Sequence, residues 1–240
     1  MIPTKDWLKA SWGAGIDLLH PVSDRITGNA PTTTHHPCTR APVVVPIRSL
    51  GPSYRGRIEA HLLALDPSDR YLRFGYAAND GQIQRYVAQL NFDRDEIFGV
   101  YNRRLELVAM AHLALSEHPE SQRCAEFGVS VLGKARGRGL GGRLFERAVM
   151  HARNENINMM FIHALSENTA MLKIARSAGA TVHRDGAESE AFLELSPANF
   201  DTRISEIVEQ QWAEIDYRLK LQAKQFWDFL AGVQATRQGH

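Results

Sequence analysis

The stretch VLGKARGRGLGGRLF, residues 131–145, decides how the rest of the sequence is interpreted. Five of its fifteen residues are glycine, four are lysine or arginine, and an apolar pattern at helical spacing follows. Glycine loses much conformational freedom on folding, and it is used where the backbone turns sharply or a ligand approaches closely. The basic residues beside the glycines indicate that such a ligand is negatively charged. The stretch therefore predicts an anion-binding turn that leads into a helix.

The elements on either side of this turn support the interpretation. CAEFGVSVL (124–132) has the pattern of a strand, and MMFIHAL (159–165) is a nearly continuous apolar run typical of a buried strand. A helix that begins after the turn offers unpaired amides and a partial positive charge, into which a diphosphate fits. The residues expected to hold it are Arg136, Gly137, Arg138, Gly139, Leu140, Gly141 and Gly142.

Two familiar phosphate-binding motifs fit this turn less well. Gly137 and Gly142 have the spacing of a P-loop, but Arg143 and Leu144 stand where its lysine and hydroxyl belong. A dinucleotide motif GxGxxG is satisfied, and Glu167 ends the next strand where a ribose acceptor could sit. However, five residues separate Val131 from the first glycine of that motif, and the preceding strands have an antiparallel pattern. Dinucleotide binding stays open as the weaker alternative.

The remaining pattern predicts a mixed α/β (α+β) fold. Strands are expected at 43–50, 96–102 and 105–115, the last two forming an antiparallel hairpin through Asn102–Arg104. One helix is expected to end at Asp66-Pro67, and a second to run through 83–90. A later helix is expected to close at Gly179, and a hairpin turn to lie at Asp185-Gly186.

Composition limits the class of protein. The 240 residues are 44% hydrophobic and 23% charged with a net charge of +1, which is ordinary for a globular protein. This balance provides no overall field for nucleic acid or for an anionic membrane, and no apolar run reaches the roughly 18 residues of a membrane span. The first residues do not have the pattern of a signal peptide, and two cysteines make no disulfide framework. We therefore expect a cytoplasmic, reduced protein.

Three regions are expected along the chain. Residues 1–42 form an N-terminal arm and linker, with a short helix at 5–19 and a loop containing His35, His36 and Cys38. No metal is expected there, because a fourth ligand is missing. Residues 43–196 form the main domain, and residues 197–240 form a helical extension. The extension is long enough to meet a partner helix, so a homodimer through it is considered beside packing on its own domain. One face of this helix carries Ile204, Val208, Trp212, Ile215, Leu219, Phe226 and Leu230.

The motif from Val131 to Gly141 resembles the pattern [RQ]xxGx[GA] of the GNAT superfamily of N-acetyltransferases. The resemblance spans roughly residues 43–196 and extends to ENTAMLKIARSAGA. AEFGV and SDRYLRF are similar to the acetyltransferase domains of bacterial protein-lysine acetyltransferases. The resemblance implies a splayed sheet with acetyl-CoA between the strands at 125–131 and 159–165. It also implies backbone pairing of Val129 and Val131 with the pantetheine, the pyrophosphate on residues 136–142, Asn168 beside the pantetheine, and no metal.

The same resemblance assigns Glu126 as the general base. Strand alternation places it on the face opposite Phe127, Val129 and Val131. Either burial in the apolar strand raises its pKa, or the base acts through water. The alternative role is a structural one, with Glu126 paired to an arginine at the margin of the sheet. His112 is the second titratable candidate. The tyrosine that serves the family as general acid is absent, because counting back from Gly179 places Ala175 there.

Two functions follow as hypotheses. The first is acetyl-CoA-dependent N-acetyl transfer to an amine, which is either a protein lysine or a small molecule. The second is a non-catalytic acyl-CoA-binding or assembly protein whose working surface is the C-terminal helix.

Overall fold

The computed structural model describes residues 45–115, 123–198 and 200–238. A seven-stranded sheet has the order β1-β2-β3-β4-β5-β7-β6. All neighbouring strands are antiparallel except β4 and β5, which are parallel. The strands are β1 (Arg48–Ser49), β2 (Glu96–Tyr101), β3 (Leu107–Leu115), β4 (Cys124–Val131), β5 (Met159–Leu165), β6 (Thr181–Asp185) and β7 (Glu188–Glu194).

The described residues also form six α-helices and two short 3-10 turns, at Pro52–Tyr54 and Gly133–Ala135. The expected mixed α/β class is confirmed, and so is the hairpin formed by β2 and β3. The helices are α1 (Arg55–Leu63), α2 (Pro67–Phe74), α3 (Asp80–Ala88), α4 (Leu140–Asn154), α5 (Thr169–Ser177) and α6 (Phe200–Gln238).

Two hydrophobic clusters lie on opposite faces of the sheet. One contains Phe127 together with Leu144 and Phe145 of α4, and the other contains Ile58 of α1 and Ile83 of α3. The alternation of β4 separates the two faces, since successive side chains of a strand point to opposite sides. Phe127, Val129 and Val131 share one face, as the alternation predicted, and this face packs toward α4. The even-numbered residues of β4 face α1 and α2.

The sequence interpretation missed α2. Asp66 and Pro67 do end α1, but they also start the next helix: Asp66 accepts a hydrogen bond from the amide of Asp69, and Pro67 occupies the first turn. Gly75 then closes α2 at φ 77°. The correction matters because α2 covers β4 and β5 where the functional site lies.

The C-terminal helix α6 is continuous over 39 residues. Ala213 and Tyr217 are buried against the domain, and Lys220 donates to the carbonyl of Tyr101. The stripe expected on one face is not buried by the described part of the chain. Its members with a described side chain, Ile204, Val208, Trp212, Ile215 and Leu219, are 44%, 59%, 56%, 49% and 60% exposed.

Some predictions fall outside the described residues. The helix expected at 5–19 and the loop with His35, His36 and Cys38 belong to this group, as do the side chains of Phe226 and Leu230. The strand expected at 43–50 is shorter than predicted and is limited to β1. No helix in the part of the chain that the structure describes is both long and apolar enough to cross a membrane.

Candidate acyl-transfer site

The sheet opens between β4 and β5. Their parallel pairing covers only Cys124↔Met159, Ala125↔Met160 and Glu126↔Phe161, although β4 continues to Val131. The amide of Leu132 donates to the carbonyl of Val108 on β3. Because the backbone groups of successive residues in a strand point to opposite edges, those of the even-numbered residues of β4 face β3. The backbone groups of Phe127, Val129 and Val131 therefore face the opening. An extended ligand could pair with them as an added strand.

The glycine-rich turn lies at the carboxyl end of this open strand edge. Gly137 and Gly139 have φ values of 74° and 71°, a backbone region that residues with a side chain rarely adopt. Gly139 is the N-cap of α4, and no side chain caps that helix end. The first amides of α4 are consequently available to an anion.

Gly141 and Gly142, also in this turn, differ in what surrounds them. A Cβ at Gly141 would lie 3.2 Å from Cδ1 of Ile174, so the absence of a side chain there allows α4 and α5 to pack closely. A Cβ at Gly142 would meet no atom within 4 Å. Arg136 forms an ion pair with the buried carboxylate of Asp69, which ties the turn to α2. Arg138 is exposed.

A cleft of about 280 Å³ lies at the sheet opening, beneath α2. Its lining comes from five elements, so residues far apart in sequence meet there. The lining includes Arg73 of α2, Glu126 and Gly128 of β4, His163 of β5, Asn168 at the start of α5, and Glu190 of β7.

Glu126 lines this cleft, but its predicted burial is wrong. The residue is exposed, since the cleft into which its side chain projects is open to solvent. Strand alternation placed Glu126 on the correct face. What the sequence could not reveal is that this face is only partly covered at residue 126. A base at this position can exchange protons with water directly.

Four side chains form a directed hydrogen-bond chain next to Glu126. Nη2 of Arg73 donates to the hydroxyl of Tyr86 at 3.0 Å, and that hydroxyl donates to Nδ1 of His112 at 2.7 Å. Nε2 of His112 donates to the carboxylate of Asp95 at 3.1 Å. This order fits one neutral tautomer of His112, because a carboxylate can only accept.

The pKa shifts in the chain agree with a neutral histidine and an ionised aspartate. Burial and the charge of Arg73 lower the pKa of His112. Burial raises the pKa of the Tyr86 hydroxyl. Burial would raise the pKa of Asp95 as well, but hydrogen bonds from Arg94 and His112 outweigh it, and the pKa is lowered. His112 is thus part of a polar network, whose other three members the sequence did not indicate.

Asn168 and Ala175 occupy the start and the core of α5. The Oδ1 atom of Asn168 caps the helix by accepting from the amide of Met171 at 3.1 Å, and the residue also lines the cleft. Ala175, which stands where the family's acid would be expected, is buried.

Residues 62–180 match the acetyltransferase (GNAT) family. This chain contains a GNAT acetyltransferase domain. Members of this family transfer an acyl group from acyl-CoA to an amine, so the open strand edge and the helix end described above lie in a domain of acyltransferases.

Solved structures of GNAT domains share the fold. The GNAT domain of the PAT protein from S. lividans superposes with a TM-score of 0.54 at 19% identity, covering 65% of this chain and 96% of that one. A GNAT-family acetyltransferase from Streptococcus pneumoniae superposes with a TM-score of 0.50 at 12% identity, covering 62% and 98%. None of the curated proteins matches this chain.

Proposed function

We propose that this chain is an acetyl-CoA-dependent N-acetyltransferase that moves the acetyl group directly to an amine. The observation that carries the proposal is the open edge of β4 beyond Glu126, which ends at the uncapped, glycine-rich start of α4. An extended, amide-containing arm with a diphosphate at its end is complementary to that arrangement. A simple phosphate site would not need the open strand edge.

The turn and β4 bind different parts of acetyl-CoA. The backbone groups of Val129 and Val131 pair with the pantetheine, and the amides of residues 137–142 hold the pyrophosphate. Arg138 is free to add charge-assisted bonds, whereas Arg136 acts mainly by fixing the turn to Asp69. Asn168 borders the thioester end from its position at the start of α5.

Glu126 is the proposed general base. An amine attacks a thioester only as the free base, and for a lysine of pKa about 10.4 deprotonation at pH 7 costs about 4.6 kcal/mol. A carboxylate in a solvent-open cleft can take this proton directly or through one water molecule. Because Ala175 carries no acidic hydrogen, we infer that water protonates the departing thiolate.

The first experiment separates binding from catalysis. Calorimetry with acetyl-CoA and measurement of thiol release with a panel of amines would be made on the wild type and on Glu126→Gln. We expect acetyl-CoA binding to be unchanged and kcat to fall by about 10²- to 10⁴-fold, the range of general base catalysis. Glu146→Gln, at an exposed position of α4, is the matched control.

The competing function is a non-catalytic acyl-CoA-binding or assembly protein, which the missing acid at Ala175 favours. Binding of acetyl-CoA without acetylation of any amine, and without an effect of Glu126→Gln, would establish it. Absence of acetyl-CoA binding would remove both functions.

We also propose that α6 pairs with α6 of a second copy. The exposed stripe Ile204, Val208, Trp212, Ile215 and Leu219 advances by three or four residues, the spacing of a helix–helix seam, on the side of α6 opposite Ala213 and Tyr217. Acidic residues predominate before Tyr217 and basic residues after it. Glu206 and Glu214 are paired within their own domain, and an antiparallel arrangement brings the remaining unlike charges of the two helices together. The charged residues of α6 are Asp201, Arg203, Glu206, Glu209, Glu214, Asp216, Arg218, Lys220, Lys224, Asp228 and Arg237.

A further inference from the structure

Arg73 is a charged group in the cleft that lacks a counter-ion. It forms no ion pair with any residue in the described ranges, and its only hydrogen bond there is the one to Tyr86. Its Nε atom is buried without an acceptor. Withdrawing a cation from water without pairing it is unfavourable, and an anion entering the cleft would relieve that cost.

The position of the guanidinium is fixed before any ligand binds. Tyr86 is held by His112, and His112 by Asp95, so the group that receives the bond from Arg73 cannot turn away. The rings of Phe74 and Tyr86 lie 5.3 and 5.6 Å from Cζ of Arg73. A binding group that is already in place spends little of its interaction energy on ordering.

Gly128 provides the space that the guanidinium occupies. A Cβ at this position would lie 2.7 Å from Cζ and 2.8 Å from Nη1 of Arg73. The arginine therefore lies directly over β4, at the level where the strand edge opens. It does not extend outward into solvent, as an arginine kept only for solubility would.

We propose that Arg73 binds a carboxylate of the acceptor, so that the substrate of this site is an amine that also carries an acid group, such as an amino acid. This inference rests on the proposed N-acetyltransferase function. A planar guanidinium matches a carboxylate in shape and charge. The pyrophosphate of acetyl-CoA is assigned to the turn beyond the other end of β4, and that leaves the acceptor as the source of the anion.

The acidic residues of the cleft suit the amine of the same acceptor, as Arg73 suits its carboxylate. Glu126 and Glu190 line the same cleft as Arg73 and provide negative charge for an ammonium group. Glu126 and Gly128 are two residues apart on one face of β4, a separation of about 7 Å along a strand. A small molecule with an amine near one end and a carboxylate near the other spans that distance.

The test compares acceptors that carry an acid with their carboxamides. The rates are expressed per free-base amine, because the carboxamide lowers the pKa of the neighbouring ammonium group. Amino acids and their carboxamides would be assayed with acetyl-CoA, using the wild type, Arg73→Gln and Arg73→Lys, with the exposed Arg85→Gln of α3 as the control. We expect the wild type to prefer the acids by about 10- to 100-fold in kcat/KM, the strength of a hydrogen bond to a charged group. Arg73→Gln should lose that preference, because its KM for the acids rises to the KM for the carboxamides.

The outcomes separate this inference from the function on which it rests. Equal use of acids and carboxamides by the wild type would overturn the role of Arg73 and leave the N-acetyltransferase intact. An equal fall in kcat on both acceptor series in Arg73→Gln would also overturn it, because the arginine would then act on the reacting carbonyl. If no amine of either series is acetylated, the proposed function itself fails.

Discussion

Gly128 links the packing of β4 to the proposed acceptor site. The guanidinium of Arg73 occupies the space of a side chain at this position, so Gly128→Ala must displace it from its contacts with Tyr86. We expect the free energy of unfolding to fall by about 1–3 kcal/mol, as for other insertions into packed space, and the preference for carboxylate acceptors to fall with it.

The control for this substitution is Gly56→Ala in α1, where a Cβ meets no atom within 4 Å. That variant should gain about 0.5–1 kcal/mol, because alanine is the better helix former. Urea unfolding of both variants checks the pair. A Gly128→Ala protein as stable as the wild type would show that Arg73 has room to move.

His61 gives the unfolding free energy a predictable pH dependence. It is buried, Nδ1 donates to the carbonyl of Leu107, and Nε2 accepts from Ser130, so the neutral form is fully bonded. Burial lowers its pKa from 6.5 to about 4. Between these values the unfolded chain binds the proton and the folded chain does not, so the stabilisation present above pH 6.5 is lost as the pH falls to about 4.

The full loss due to His61 amounts to about 3 kcal/mol, since each pKa unit is about 1.36 kcal/mol, and about 2 kcal/mol of it falls between pH 7 and pH 5. Urea unfolding at these two pH values, compared between the wild type and His61→Asn, measures that part. The variant should be less stable at pH 7 but lose less stability on acidification. His163→Asn, at an exposed histidine, is the control. Parallel losses in the wild type and His61→Asn would contradict the assignment.

The site residues that could be predicted from sequence are those whose role depends on their neighbours in the chain. The left-handed conformations of Gly137 and Gly139 and the face occupied by Glu126 follow from local spacing. Arg73, Tyr86, His112 and Asp95 come from separate elements and meet only through the topology of the sheet. A buried histidine and an isolated arginine carry no local signal of such a network.

Elements were predictable where a pattern ran through their whole length. The apolar runs of β4 and β5 and the closing glycine of α5 were sufficient for those elements. The missed helix α2 has little apolar periodicity, and its signals are confined to its ends: Asp66, Pro67, Asp69 and Gly75. Asp66-Pro67 follows the end of α1 and begins α2, so the same two residues are both a helix stop signal and a helix start signal.

The contact between α4 and α6 depends on one carboxylate. Glu206 of α6 lies 2.9 Å from Nη1 of Arg147 and accepts from His151 at 2.7 Å. Burial would raise the pKa of Glu206, but hydrogen bonds from His151 and Asn154 and the charge of Arg147 outweigh it and lower the pKa to about 2. The pKa of His151 is raised, because its bond to Glu206 outweighs its burial.

Glu206→Gln should therefore lower the free energy of unfolding by about 3 kcal/mol, as when a buried ion pair loses one member, because Arg147 stays buried. The Glu206 contribution is lost as the pH falls from 4.5 toward 2, and the His151 contribution is lost as the pH rises above 6.5 through its raised pKa. Urea unfolding should show the largest difference from wild type between pH 4.5 and 6.5. Glu209→Gln, exposed on the same helix, should show none.

The separation of β4 from β5 creates the candidate acyl-transfer site within the sheet. The sequence predicted both strands, but their pairing register, which ends at Glu126↔Phe161, is a property of the assembled sheet. Once the strands diverge, the free edge of β4 faces the gap toward β5, and the cleft beneath α2 reaches the same gap. Under the proposed function, the acyl donor and the acceptor meet at this gap.

The proposed pairing of α6 determines what the whole molecule is in solution. Exposing five large apolar side chains along one helix is unfavourable, and covering them with a second copy removes that cost. We expect the wild type to sediment as a dimer, and Ile215→Glu to sediment as a monomer with the same helix content. Gln210→Glu, exposed on α6 but outside the stripe, should remain dimeric.

Salt tests the direction of this pairing. If the acidic half of one α6 lies against the basic half of the other, raising the ionic strength screens the attraction and weakens the dimer, whereas a purely apolar contact would hold or strengthen. A wild type that is monomeric at every concentration would refute the pairing. A dimer that survives Ile215→Glu would place the interface elsewhere and leave the stripe for a different protein.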